Sequence, residues 1–102
     1  MNDPTASAWV KGRCGDEMEF YLVVSDRRLV EVMWETTGCE VTCACAALVA
    51  ETVCGRSTEE ALRISAGEVL AGLPGIPREH QHCPILAVGT FYQAVADYLL
   101  KP

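Results

Sequence analysis

The segment EMEFYLVVSDRRLVEVMWETTGCEVTCACAALVAETVC, residues 17–54, contains the change of pattern that decides the fold. Its first half is rich in β-branched and aromatic residues, which favour strands. After Gly38 the pattern changes to alanine, leucine and valine at helical spacing. The sequence therefore predicts a domain in which the strands come first and the helices follow.

Two antiparallel strands are predicted in the first half of this segment, over residues 18–25 and 29–35, with a tight turn at SDRR between them. A third, weaker strand is predicted over residues 7–12. Alternation along the second strand predicts two faces, one with Leu29, Glu31, Met33 and Glu35 and the other with Val30, Val32, Trp34 and Thr36. We expect a small antiparallel sheet of two or three strands.

Helices are predicted from Val41 to the end of the chain. The first covers residues 41–54 and ends at Gly55, which suits the C′ position of a helix. Two short helices follow, each predicted from a capping box, Ser57 with Glu60 and Ser65 with Glu68.

Pro84 suits the first turn of a long closing helix. The apolar residues that share one face of this helix are Leu86, Phe91, Val95 and Leu99. The predicted fold class is α+β, with a small antiparallel sheet followed by a layer of about four helices.

The composition describes one small folded domain, because half of the 102 residues are apolar and 22% are charged. The net charge is −6 and the eight basic residues are scattered, which argues against a nucleic-acid partner. The first thirteen residues lack the pattern of a secretory leader, and no apolar run approaches the roughly 18 residues of a membrane span. We expect a cytoplasmic location and no membrane partner.

Six cysteines in a reducing compartment favour free thiols or metal ligands over disulfides. Cys43 and Cys45 lie about 200° apart on a helix, and Cys54 lies three turns beyond Cys43, so these three thiols cannot share an ion. We expect them to be buried thiols that take the place of alanine or serine.

Cys39 and Cys83 differ, because each is predicted directly before a helix. Free N–H groups and the helix dipole at that position favour a thiolate, so the pKa of both thiols is expected to be low.

Cys14 lies in a glycine-flanked loop, GRCGDEM, with Asp16 two residues later, while His82 adjoins Cys83 and His80 lies two residues before His82. A single aspartate or histidine in such a loop is more commonly a solvated residue. Three loop cysteines with a carboxylate and an imidazole nevertheless form a candidate cluster or zinc site.

These motifs are CGD at residues 14–16, GC at residues 38–39 and HC at residues 82–83, and the segment GRSTEEALRI follows the second. Their order and separation, with twenty-four and forty-three residues between successive cysteines, resemble the IscU/NifU-type iron-sulfur cluster assembly scaffolds. The resemblance covers nearly the whole chain from Cys14 onward, and we treat residues 1–102 as one such domain.

The resemblance implies a scaffold protein, not an enzyme, that carries a transient [2Fe-2S] cluster and transfers it. Its ligands would be Cys14, Cys39 and Cys83, with Asp16 or His82 in the fourth position. The implied partners are a cysteine desulfurase and recipient apo iron-sulfur proteins.

Three departures from the family pattern change these expectations. Glu40, Cys43, Cys45 and Cys54 lie at positions where the family usually has other residue types. The chaperone-recognition stretch of the family is reduced here to IPREH at residues 76–80, which puts recruitment of an Hsp70-type chaperone in doubt. Only thirteen residues precede Cys14, so the resemblance predicts a shortened N-terminus and altered desulfurase docking.

Other functions stay open at this point. Zinc could occupy the same ligands in a tetrahedral site. The chain could also be a sulfurtransferase, or a persulfide relay of the zinc-binding SufU type, although the roughly twenty-residue insertion of those relatives is absent. A regulatory or metal-storage module is a further alternative. The sequence also leaves open whether the chain forms a homo-oligomer or takes a 4Fe cluster.

Overall fold

A computed structural model describes residues 5–12 and 15–100 of the chain. Three strands form one antiparallel sheet in the order β1-β2-β3. Their bounds are β1 (Ala6–Lys11), β2 (Glu17–Ser25) and β3 (Arg28–Thr36). The two strands predicted on either side of the turn and the weaker third strand are therefore confirmed, with β2 in the centre of the sheet.

The β2–β3 connection is a two-residue hairpin turn at Asp26 and Arg27. Their φ angles are 54° and 64°, and Ser25 pairs with Arg28 across the turn. Two central residues with positive φ define the type I′ turn, whose twist matches that of the flanking strands.

The predicted alternation along β3 is wrong at Leu29 and Val30. Leu29 pairs with Val24 and is buried on the inner face, whereas Val30 is exposed. A register shift between Val23 and Val24 inserts an extra residue into β3, and the remaining inward positions then fall at Val32 and Trp34. The bulge therefore places Leu29 on the same face as Val32 and not with Glu31.

Four α-helices and one 3-10 turn follow the sheet, which confirms the α+β fold class. The helices are α1 (Glu40–Val53), α2 (Thr58–Ala61), α3 (Ala66–Gly72) and α4 (His82–Leu100). The 3-10 turn spans Arg78–His80 and leads into α4.

The helix boundaries follow the predicted capping residues. Gly55 follows the end of α1 with a φ of 87°. Ser57 and Glu60 form a reciprocal capping box, whereas Ser65 only accepts a hydrogen bond from the Glu68 N–H.

The start of α4 differs from the prediction. The helix begins at His82, so Cys83 lies inside its first turn together with Pro84. Leu86, Phe91 and Val95 are buried as predicted, but Leu99 is exposed near the end of the helix.

The core lies between the inner face of the sheet and the apolar sides of α1 and α4. Phe20 of β2 meets Phe91 of α4 edge to face, with ring centroids 6.0 Å apart. Val49 and Val53 of α1 are fully buried in the same cluster. This packing brings the N-terminal turn of α1 beside the N-terminal turn of α4.

The helical segment from Arg78 to Leu100 is long and apolar enough to cross a membrane by length and composition alone. Half of its most apolar stretch is buried against the rest of the domain. The core helix of a folded domain has the same properties, so this segment is weak evidence for a membrane span.

Candidate functional site

The first turns of α1 and α4 meet at the side chain of Thr42, which is fully buried. Its Oγ1 lies 3.7 Å from the Cys39 sulfur and 3.3 Å from the Cys83 sulfur. The same hydroxyl donates to Asp16 Oδ2 at 3.4 Å. A hydroxyl donates one hydrogen bond and can accept others, so the single side chain of Thr42 joins the two thiols and the carboxylate.

Each of these two cysteines also contacts a histidine. The Cys39 sulfur lies 3.8 Å from His80 Nδ1, and the Cys83 sulfur lies 3.7 Å from His82 Nε2. The two imidazole rings stack with centroids 6.3 Å apart. The site residues predicted at Asp16, Cys39, His82 and Cys83 are thus brought together, while Cys14 lies outside the described residues.

Two members of this site were missed or undervalued by sequence reasoning. Thr42 looks like an ordinary helix residue, although its place three residues after the N-cap is the spacing at which a side chain can reach back to the cap. His80 has no sequence signal beyond its closeness to His82, because a 3-10 turn is what points it at Cys39.

Cys39 is the exposed N-cap of α1, in extended backbone with φ −76° and ψ −176°. The Thr42 N–H, followed by the Thr42 hydroxyl, lowers the pKa of the Cys39 thiol, while burial and the charge of Asp16 act in the opposite direction. This finding confirms the low pKa that its position predicts.

Cys83 does not repeat that arrangement. It lies within α4 and not before it, and its side chain is fully buried beneath Thr42. The difference arises because the 3-10 turn at Arg78–His80 continues almost directly into the helix at His82. The Cys83 side chain is therefore closed to solvent, unlike that of Cys39.

The three remaining cysteines have different environments. Cys45 is fully buried, and burial raises the pKa of its thiol to about 12. Cys43 is half-buried, whereas Cys54 is exposed and its sulfur contacts the Val30 carbonyl at 3.7 Å. The prediction of three buried thiols is thus correct for Cys45 and wrong for Cys54, which caps the exposed end of α1.

All five cysteines in the described part of the chain are free thiols. Over residues 5–12 and 15–100, no three cysteine, histidine, aspartate or glutamate side chains are grouped so as to hold one metal ion. The described residues of the site therefore form a hydrogen-bonding network. Thr42 contacts two thiols and a carboxylate, and each thiol also contacts an imidazole.

Residues 1–102 match the family described as NifU-like N terminal domain. The chain is 34% identical over 103 residues to the iron-sulfur cluster assembly scaffold protein IscU of Escherichia coli K12, a match that covers 98% of this chain and 80% of that protein. It is 35% identical over 88 residues to the scaffold protein IscU 1 of Archaeoglobus fulgidus, covering 86% of this chain and 58% of that relative.

The fold is similar to that of a nitrogen-fixing NifU-like protein (N-terminal) from Brucella abortus, with a TM-score of 0.76 and 17% identity over all of this chain and 84% of that one. The chain therefore belongs to the NifU-like N-terminal domain family. The match spans 58% of the length of the Archaeoglobus relative.

Gly38 creates the space that Thr42 occupies. An added Cβ at this position would lie 2.6 Å from both Cβ and Oγ1 of Thr42. The loop has little freedom to withdraw, because the Gly38 N–H donates to the Thr36 hydroxyl, which itself donates to the Glu17 carbonyl. A glycine before Cys39 is thus a packing requirement of the site.

We expect Gly38→Ala to lower the free energy of unfolding by about 1–3 kcal/mol, because the methyl group overpacks Thr42. Gly67→Ala is the matched control, since an added Cβ there meets nothing closer than 3.7 Å. Urea unfolding of both variants checks this, with Gly67→Ala neutral or slightly stabilised. Equal stability of the two variants would contradict the packing argument.

The low pKa of Cys39 predicts a pH profile for its alkylation. The thiolate persists as the pH falls below the ordinary thiol value of about 8.5, and its reactivity is lost as the pH passes the lowered pKa. Thr42→Val removes one of the two main lowering contacts, so the midpoint should move to higher pH.

Rates of iodoacetamide labelling at Cys39, measured by mass spectrometry from pH 5 to 10, test this shift. Thr42→Ser keeps the hydroxyl and should retain the wild-type midpoint. A midpoint that is the same in Thr42→Val and Thr42→Ser would show that the hydroxyl has no part in setting the pKa.

Proposed function

We propose that this chain is a scaffold on which an iron-sulfur cluster, [2Fe-2S] in the first instance, is assembled and then passed to a recipient protein. The observation that carries the proposal is the contact of one buried hydroxyl, that of Thr42, with both Cys39 and Cys83. Two thiols from separate helices thus meet at one point. Thiolates are the soft ligands that iron-sulfur clusters require.

The proposed ligand set is Cys14, Cys39 and Cys83, with Asp16 or His82 in the fourth position. The cluster is cargo, and a carboxylate or imidazole beside three thiolates holds iron less firmly than a fourth thiolate would. Asp16 shares the Thr42 hydroxyl with the cysteines, and His82 contacts the Cys83 sulfur. Either residue is therefore close enough to serve.

Exposure assigns the thiols different parts in the proposed assembly. Cys39 is exposed and its pKa is lowered, so it is the thiol that we propose receives sulfur first. Cys83 is buried in the cargo-free protein and becomes a ligand once Thr42 is displaced. Sulfur would come from a cysteine desulfurase and the cluster would go to apo iron-sulfur proteins, in the cytoplasm.

Anaerobic reconstitution with ferrous iron and inorganic sulfide tests the proposal. We expect equal amounts of bound iron and sulfide, with the absorption spectrum of a [2Fe-2S] cluster. Cys14→Ser, Cys39→Ser and Cys83→Ser should each lose most of it, because a hydroxyl is a poor iron ligand beside a thiolate.

Cys54→Ser is the matched control for this experiment, because Cys54 lies at the C-terminal end of α1, away from Thr42, and its exposed thiol contacts the Val30 carbonyl of β3. It should keep the full iron and sulfide content. Purification of the wild type with bound zinc and no capacity for sulfide would instead favour the zinc protein, whose tetrahedral site accepts the same residue types.

The two candidates for the fourth ligand should give opposite results. Asp16→Ala removes a hard, exchangeable ligand, so the cluster should last longer in air and transfer more slowly to an apoprotein. His82→Ala should lower cluster occupancy. Transfer half-times of both variants, with Asp16→Asn as the control that keeps the side-chain shape, decide between them. Faster cluster loss from Asp16→Ala would show that Asp16 retains the cluster and does not help release it.

A further inference from the structure

A second thiol, that of Cys43, lies one helical turn after Cys39. The Cys43 N–H donates to the Cys39 carbonyl at 3.0 Å and closes the first turn of α1. Side chains four residues apart lie on the same side of a helix, with Cβ atoms about 5–6 Å apart. Cys45 projects about 200° away from Cys43 and is buried, so it is excluded from this pair.

The Cα separation expected for Cys39 and Cys43 is compatible with a disulfide. Helix geometry places their Cα atoms about 6 Å apart, inside the usual disulfide range of about 4.4–6.8 Å. Cys39 is an N-cap in extended backbone, so no preceding helical turn restricts its side chain. The Cβ atoms of the two residues, about 5–6 Å apart in a regular turn, must approach to about 3.5–4.5 Å. Joining the two sulfurs therefore requires the backbone at the N-cap to shift and the Cys39 sulfur to leave Thr42 and His80.

The Cys43 sulfur is not committed elsewhere in the structure. Over the described ranges, 5–12 and 15–100, it has no hydrogen-bond partner, whereas the Cys83 sulfur contacts Thr42 and the Cys54 sulfur contacts Val30. Cys43 is also half-buried and not sealed in the core. Its thiol is therefore available to a neighbour that carries a reactive sulfur.

The proposed function requires a source of electrons for sulfur, which the Cys39 and Cys43 thiols can supply. The inference therefore rests on the proposed function. Sulfur delivered as a persulfide is at the oxidation level of elemental sulfur, whereas the bridging sulfur of a cluster is sulfide. Each sulfur must gain two electrons, and a pair of thiols that becomes a disulfide supplies two.

We propose that Cys43 is the resolving thiol that releases sulfide from a persulfide carried on Cys39. The Cys43 thiolate attacks the inner sulfur of Cys39–S–SH and forms the Cys39–Cys43 disulfide. The bond between the inner and terminal sulfurs breaks, and the terminal sulfur leaves with the electron pair and its proton as HS⁻. The terminal sulfur is reduced by two electrons and each cysteine sulfur is oxidised by one. An external dithiol reductant then restores the pair.

This role differs from the one that the sequence predicts for Cys43, that of a packing residue. The resolving role of Cys43 does not affect the anaerobic reconstitution with ferrous iron and sulfide, because inorganic sulfide is supplied there and no persulfide has to be reduced.

The test uses the full chain with Cys54→Ser, which removes the other exposed thiol among the described residues, in an anaerobic buffer free of reductant. Inorganic polysulfide is the sulfur donor, and the protein is desalted, alkylated and cut after glutamate. Cleavage after Glu35, Glu40 and Glu51 separates residues 36–40, which carry Cys39, from residues 41–51, which carry Cys43 and Cys45. Only a disulfide holds these two peptides together.

The parent should give the linked peptides and free sulfide, whereas the parent with Cys43→Ser should keep the persulfide on Cys39. Sulfide release should slow by at least about tenfold, because an intramolecular attack is replaced by a bimolecular one. The matched control is the parent with Cys45→Ser. This change removes a thiol of the same peptide on the opposite side of the helix, so sulfide release should equal that of the parent. The parent rate should not change when the protein is diluted.

Three outcomes would overturn the inference. Equal loss of the extra sulfur from the parent and from Cys43→Ser would refute the resolving step while leaving sulfur loading on Cys39 intact. A disulfide from Cys39 to Cys14 or Cys83 would assign the step to another thiol. Failure of Cys39 to take up sulfur in the Cys43→Ser chain would refute the loading step of the proposed function as well.

Discussion

The contact between the buried Thr42 hydroxyl and the Cys83 sulfur is the interaction on which the site depends. It joins the first turn of α1 to the first turn of α4 in a region where neither side chain meets solvent. A buried hydroxyl needs partners, and here they are the two thiols and the carboxylate of Asp16. The packing of both helices on the sheet, and the missing side chain at Gly38, are what allow Thr42 to take this position.

Much of the fold could be predicted because its signals are local. The positions of the strands, the helical spacing and the Ser57–Glu60 capping box depend on residues close together in the sequence, and the structure confirms them. The bulge in β3 could not be predicted in this way, because it depends on the register against β2 and the alternation is intact on either side of it. The early start of α4 was missed for a related reason, since Pro84 marks a first turn but does not say which residue begins it.

The site was predictable where a single residue occupies a diagnostic position. Cys39 was identified because an N-cap thiol has the same electrostatic surroundings in any helix, and its lowered pKa follows from the N–H groups there. Thr42 and His80 were not, because their importance comes from tertiary contacts that no spacing in the sequence records. The ligand roles of Cys14, Asp16, Cys39, His82 and Cys83 stay predictions.

Unequal access to the thiols orders the chemistry that this site can support. A reagent in solution meets Cys39 directly, whereas the Cys83 side chain is fully buried and contacts Thr42 and His82. The Thr42 hydroxyl contacts both sulfurs and helps to lower the Cys39 pKa, so one buried side chain joins the exposed thiol to the buried one. Any ligand that uses both sulfurs must therefore compete with Thr42 for them.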